Sequence, residues 1–181
     1  MSTLDDGLTV WFTGLPSAGK TTLAQALAKR LADAGVARVE VLDGDIARTH
    51  LTNGLGFSAE DRAENVRRIG WVASLLARNG VVVLASVISP NRAVRDEVRS
   101  LHEGRFVEVH VATPVAVCSE RDVKGLYAQQ RAGTLKGLTG VDDPYEEPLH
   151  PEITVRTQDQ TIDESVEHVW QSLATLKVEP R

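Results

Sequence analysis

Eight residues near the start of the chain, Gly14-Leu15-Pro16-Ser17-Ala18-Gly19-Lys20-Thr21, fit GxxxxGK[ST] at every fixed position. Such a run is suited to holding phosphate. Glycines let backbone N–H groups curl around phosphate oxygens, and the start of a following helix adds the positive end of its dipole. Lys20 would neutralise charge on the β- and γ-phosphates, Thr21 would coordinate Mg²⁺, and Thr22 carries the ATP-binding run into the helix. No NKxD guanine-reading motif occurs, which favours an ATP-using kinase or ATPase over a GTP switch.

A second candidate group is Leu42-Asp43-Gly44-Asp45. One carboxylate there could hold a Mg²⁺-bound water and the other could orient or deprotonate an acceptor hydroxyl. Two acids in one turn also repel, which can raise one pKa. The same residues suit an ordinary Asp-Gly turn with solvated acids, and position alone leaves both readings open.

The elements that would position these groups alternate. Strands are expected at 8–13, 38–42, 81–88, 106–111 and 152–157, and the run 81–88 is almost continuously apolar, as a strand covered on both faces should be. Helices are expected at 20–35, from a capping box at Ser58 to Asn79-Gly80, at 91–101, from Thr113-Pro114 onward, and at 161–176. Strand–helix alternation implies an α/β fold: a mostly parallel sheet, helices on both faces, ligands at the carboxyl ends of the strands. The segment 121–151 breaks the rhythm with glycines, prolines and polar residues, and reads as a lid within a single 1–181 domain.

Composition excludes several classes. The 181 residues carry 20 basic and 25 acidic side chains, for a net charge of −5. A nucleic-acid binder would show a basic excess, whereas Arg62, Arg67 and Arg68 form only a local cluster suited to a small anion. No apolar run approaches the roughly 20 residues of a membrane span, and the N-terminus does not read as a signal peptide. One cysteine, Cys118, rules out an intrachain disulfide and fits a cytoplasmic home. The five histidines lack metal spacing and read as surface or structural.

Together, GLPSAGKTTLA (14–24), LDGD (42–45), LGF (55–57), EDRAENVRRIG (60–70), ISP (88–90), RDVKGLY (121–127) and RAGTLKGLTGVDDPYEEP (131–148) resemble the adenylylsulfate kinases. The resemblance implies a three-layer P-loop fold and transfer of the ATP γ-phosphate to the 3′-hydroxyl of adenosine 5′-phosphosulfate. It implies that Asp45 is the acid near the acceptor hydroxyl, with Asp43 beside it, and that Arg48, Arg62 and Asn65 hold the phosphosulfate. Phe57 would stack on the adenine, Ile88 and Ser89 would line the pocket, and Lys124, Gly137 and Leu138 would bind substrate. Arg131 and Lys136 would close over the triphosphate. It also implies a homodimer and suggests an ATP sulfurylase as partner. Without the resemblance, Phe57 equally suits core packing, and Arg67 or Arg68 a solvated helix face.

Ser89 occupies a position linked in this family to a phosphorylated intermediate. In-line transfer needs none, so Ser89 stands as a candidate only and is better read as lining the substrate pocket. Two positions depart from the family pattern. Asn91 stands where Tyr is frequent, and Leu138 replaces a Phe of the lid, which predicts weaker adenylyl binding and a lower KM on Leu138→Phe. Two other readings compete: a P-loop kinase for a different small hydroxyl, and a non-catalytic nucleotide module, against which Lys20, Thr21, Asp43 and Asp45 all stand intact.

Overall fold

The computed structural model describes residues 6–176. Five parallel strands form one sheet in the order β2-β3-β1-β4-β5: β1 (Leu8–Thr13), β2 (Val39–Asp43), β3 (Val82–Ser86), β4 (Phe106–Val111) and β5 (Ile153–Val155). Seven helices are described: α1 (Lys20–Asp33), α2 (Gly44–His50), α3 (Ala59–Ala77), α4 (Arg92–Ser100), α5 (Val115–Arg121), α6 (Leu126–Arg131) and α7 (Ile162–Thr175).

Alternation along the central strand sorts the core into two layers. Leu8, Val10 and Phe12 face the cluster that holds Leu23, Leu27 and Leu31 of α1 and Val166, Val169 and Leu173 of α7. Trp11, on the opposite face, packs with Val66 and Ile69 of α3 and Val94 and Val98 of α4. The sheet is thus sandwiched between helices, as the strand–helix alternation predicts. Every strand runs the same way, so all five carboxyl ends meet along one edge of the sheet. Among the described residues, no helix is long and apolar enough to cross a membrane.

Two elements were not expected. The Asp-Gly turn is a helix N-terminus: Asp43 caps α2 by accepting from the Asp45 and Ile46 amides at 2.8 and 3.4 Å. Within the lid segment, Gly125 at φ +68 opens the short helix α6, whose Tyr127 and Ala128 amides are held by the Asp122 carboxylate. Strand β3 is shorter than the apolar run, because after the Val87 amide makes a last bond to the Phe12 carbonyl the chain turns into an elbow whose Ser89 sits at φ +44.

Candidate active site

The phosphate-binding run turns between β1 and α1. Gly14 at φ +149 lies so close to β4 that a Cβ there would meet the Val111 carbonyl oxygen at 2.6 Å, and Gly19 at φ +107 closes the turn in a left-handed conformation. Side chains behind the loop take its carbonyls. Tyr127 of α6 donates to the Pro16 carbonyl at 3.0 Å. The Ala18 carbonyl accepts from Thr113, Thr157 and Arg121 at 2.9, 3.0 and 3.3 Å. Holding those oxygens outward directs the N–H edge of the turn inward.

Lys20 is buried, and its Nζ donates to the Gly14 and Leu15 carbonyls at 2.9 and 2.7 Å. Burial, the largest cause, lowers its pKa to about 8 against the opposing pull of Asp45 and Asp43. Beside it, Thr21 Oγ1 donates to Asp43 Oδ2 at 2.7 Å and lies 3.0 Å from the Ser86 hydroxyl. A hydroxyl and a carboxylate are the hard oxygen donors that Mg²⁺ prefers, so this pair fits that ion. Asp45, in the first turn of α2, is largely exposed and forms an ion pair with Lys124 from the segment entering α6.

A cleft of about 280 Å³ is linked to these groups by Arg48, which interacts electrostatically with Asp45 and lies over the Phe57 ring. Phe57, Arg62 and Val66 line one side, and Pro90, Asn91, Val94, Asp143 and Glu146 line the other. Phe57 is 73% exposed, so it is no core residue, and the Arg48 guanidinium lies 4.4 Å over its ring. Arg48 also donates to the Gly56 carbonyl at 2.8 Å. Arg62 donates to the Gly137 carbonyl at 3.0 Å and pairs with Asp143, while its buried Nε has no partner in the protein. Asn65 is buried and accepts from Thr52 at 2.7 Å.

The description of the adenylylsulphate kinase family matches residues 6–156. The chain belongs to that family. An adenylyl-sulfate kinase of Rippkaea orientalis is 61% identical over 170 residues, 94% of this chain and 93% of its own length. A probable adenylyl-sulfate kinase of Synechocystis is 58% identical over 171 residues, 94% of this chain and 96% of its own. The Mycobacterium tuberculosis APS kinase CysC, solved in complex with AMPPNP and APS, is 43% identical at a TM-score of 0.90, covering 94% of this chain and 99% of that one. As an adenylylsulphate kinase family member, the chain is a nucleotide-binding kinase with the α/β P-loop architecture.

Within this adenylylsulphate kinase site, Gly137 and Leu138 of the lid meet at Asp142, whereas Arg131 bonds elsewhere. Arg131 donates to Ser119 at 2.7 Å, and Lys136 is exposed. Gly137, at φ +73, and Leu138 both point their amides at Asp142, and Leu138 is only 5% exposed, in the same apolar cluster as Leu15 and Tyr127. Arg67 and Arg68 pair with Glu97 and Glu64 on the surface, so both occupy the solvated helix face. Ile88 gives its carbonyl to Thr13 at 2.8 Å. The Ser89 hydroxyl accepts from Trp11 Nε1 at 3.1 Å and bonds Thr13 at 2.9 Å, so its partners include no base. Sequence reading missed Thr113, Arg121, Tyr127, Asp143 and Thr157. Their roles depend on chain segments that meet only in the fold, and the one local signal was Arg121-Asp122 at the mouth of the lid.

Proposed function

We propose that this kinase transfers the γ-phosphate of ATP to the 3′-hydroxyl of adenosine 5′-phosphosulfate (APS), giving ADP and the 3′-phosphorylated product. The reading is supported chiefly by Asp45, which interacts electrostatically both with Lys20 of the phosphate loop and with Arg48, whose guanidinium lies over the Phe57 ring at the cleft.

The acceptor oxygen would attack the γ-phosphorus in line as the bond to the β-bridging oxygen breaks. Asp45 would accept the hydroxyl proton, with Lys124 fixing the carboxylate. Lys20 and the loop amides would stabilise charge on the phosphoryl oxygens. Thr21 would ligate Mg²⁺ directly and Asp43 through water, and that ion would supply further neutralisation at the triphosphate. Phe57, held under Arg48, would stack on the substrate adenine. Arg62, its Nε still without a partner, would meet the phosphosulfate, for which a planar guanidinium is well matched. Arg48, Asn65, Ile88, Gly137 and, through its backbone alone, Leu138 complete the substrate site in this reading. The segment 121–150, with Arg131 and Lys136, would close over ATP to exclude water. By family analogy the enzyme would be a cytoplasmic homodimer, with an ATP sulfurylase as the candidate partner.

The test is ADP release from Mg-ATP with APS, with AMP and no acceptor as controls. Release that requires the phosphosulfate, with the product phosphorylated at the 3′ position, is expected. ATP binding without such turnover would point instead to another acceptor alcohol, and Asn91, which lines the cleft, would be the first residue to examine.

A further inference from the structure

Arg95 lies outside every motif considered above and does not line the cleft. It is nonetheless 2% exposed, and each face of its guanidinium is used. Nε donates to Glu108 Oε1 at 2.8 Å, Nη1 to the Ser89 carbonyl at 2.6 Å, and Nη2 to the Glu146 carbonyl at 2.6 Å. A buried cation persists only if it is neutralised and fully hydrogen-bonded. Glu108 supplies the charge, and is itself held by Arg99 at 3.3 Å. Glu152 completes the set by accepting from Arg99 and, at 2.6 Å, from the Glu108 amide.

The two carbonyls belong to different segments. Ser89 is the elbow after β3, and Pro90, Asn91 and Val94 just beyond it face the cleft. Glu146 belongs to the strap that returns from the lid, where Asp143 and Pro144 also face the cleft. Further bonds join the same two segments. The Glu146 amide donates to the Pro90 carbonyl at 2.9 Å, and the Arg92 amide donates to Glu146 Oε2 at 2.7 Å. Tyr145 lies 5.7 Å from the Arg95 guanidinium and bonds Thr13 at 2.9 Å. The strap in turn carries Asp143, the partner of Arg62.

We propose that Arg95, neutralised by Glu108, is a positioning residue for the acceptor: it clamps elbow to strap, fixing the cleft wall that faces Phe57 and, through Asp143, the aim of Arg62. Elbow and strap also bond Thr13, the residue before the phosphate loop, but the loop's own carbonyls are held by Thr113, Tyr127 and Thr157, so the clamp acts on the acceptor more than on ATP.

This inference rests on the reading of the cleft as the APS site, and the test separates the two. Arg95→Lys keeps the charge opposite Glu108, but a compact ammonium cannot span acceptors on three segments. The KM for APS should rise about tenfold in this variant, with the KM for ATP within about twofold, because only acceptor placement is lost. Tyr145→Phe, a milder change that removes only the bond to Thr13, should raise the KM for APS by about threefold on the same logic. It serves if Arg95→Lys does not fold. Amide exchange at Arg92 and Glu146 should also accelerate in either variant. Equal rises in both KM values, no rise in either, or unchanged exchange would overturn the clamp. A wild-type enzyme with no APS-dependent turnover would defeat the acceptor assignment alone, since the exchange measurement still decides the clamp whichever alcohol is bound.

Discussion

Leu138 shows how burial changes the meaning of a single residue. From sequence, a leucine in place of an aromatic reads as a lost stacking partner, so that Leu138→Phe should improve substrate binding. The side chain is 5% exposed and clusters with Leu15 of the phosphate loop and with Tyr127, which donates to that loop. A larger ring there has to displace packed neighbours, at a typical cost of about 1–3 kcal/mol. We therefore expect Leu138→Phe to lower Tm without lowering the KM for the acceptor, measured by thermal melts and steady-state kinetics on the same preparation. A lower KM at unchanged Tm would return the side chain to the nucleotide. Lys20 presents the opposite case. Its type and spacing point to phosphate binding from sequence, and in the structure burial lowers its pKa to about 8.

At the scale of elements, the cleft depends on how closely α3 approaches α4, since one carries Arg62 and the other begins at the elbow. Gly70 makes that approach possible: a Cβ there would lie 2.5 Å from Cγ2 and 2.6 Å from Cγ1 of Val98, which is fully buried. Alanine is favoured over glycine inside a helix by about 1 kcal/mol, but two packed helices cannot absorb an overlap of that size without shifting. Gly70→Ala should destabilise the fold by about 1–3 kcal/mol. Adding Val98→Ala should recover part of that loss, a coupling readable from a double-mutant cycle in denaturant. Simple additivity would mean that the helices do not meet through this pair. Such long, periodic elements were legible in the sequence because apolar spacing declares them. Helices α2 and α6 were not. They have seven and six residues, and both start on local polar contacts, through Asp43 and Asp122, that resemble ordinary turns. The phosphate loop could be read from local spacing alone, whereas spacing left the acids at the end of β2 open between a functional pair and an ordinary turn. The Arg95–Glu108 clamp could not be read from spacing, because its members come from α4, β4, the elbow and the strap.

For the molecule as a whole, burial of polar groups beneath the sheet makes stability depend on pH. In FVEVHV the alternation would place Glu108 and His110 on a wet face, yet both are buried, because α4 and the strap cover that side of β4. His102 is buried as well, at the end of α4. Its Nδ1 donates to the Val98 carbonyl at 2.8 Å, its Nε2 has no partner, and burial, aided by Arg99, lowers its pKa below the ordinary 6.5. His110 shifts the same way, again chiefly through burial, with Arg95 and Arg156 adding to the effect and Glu147 opposing it. A histidine kept neutral in the fold takes up its proton in the unfolded chain first. The unfolded state therefore binds more protons as pH falls through 6.5, and stability is lost in that direction. The carboxylates whose pKa values are lowered, Glu97 by Arg67 and Glu164 by the Thr161 amide, begin to weaken the fold only below about 4.5. The interval between pH 6.5 and about 5 thus belongs to the two histidines. Thermal melts across it should show Tm falling with acidification. His102→Asn, which keeps a donor near the Val98 carbonyl but cannot titrate, should begin from a lower Tm at neutral pH and fall less steeply. Parallel curves for variant and wild type would remove His102 from the account and leave His110 as the group to substitute next.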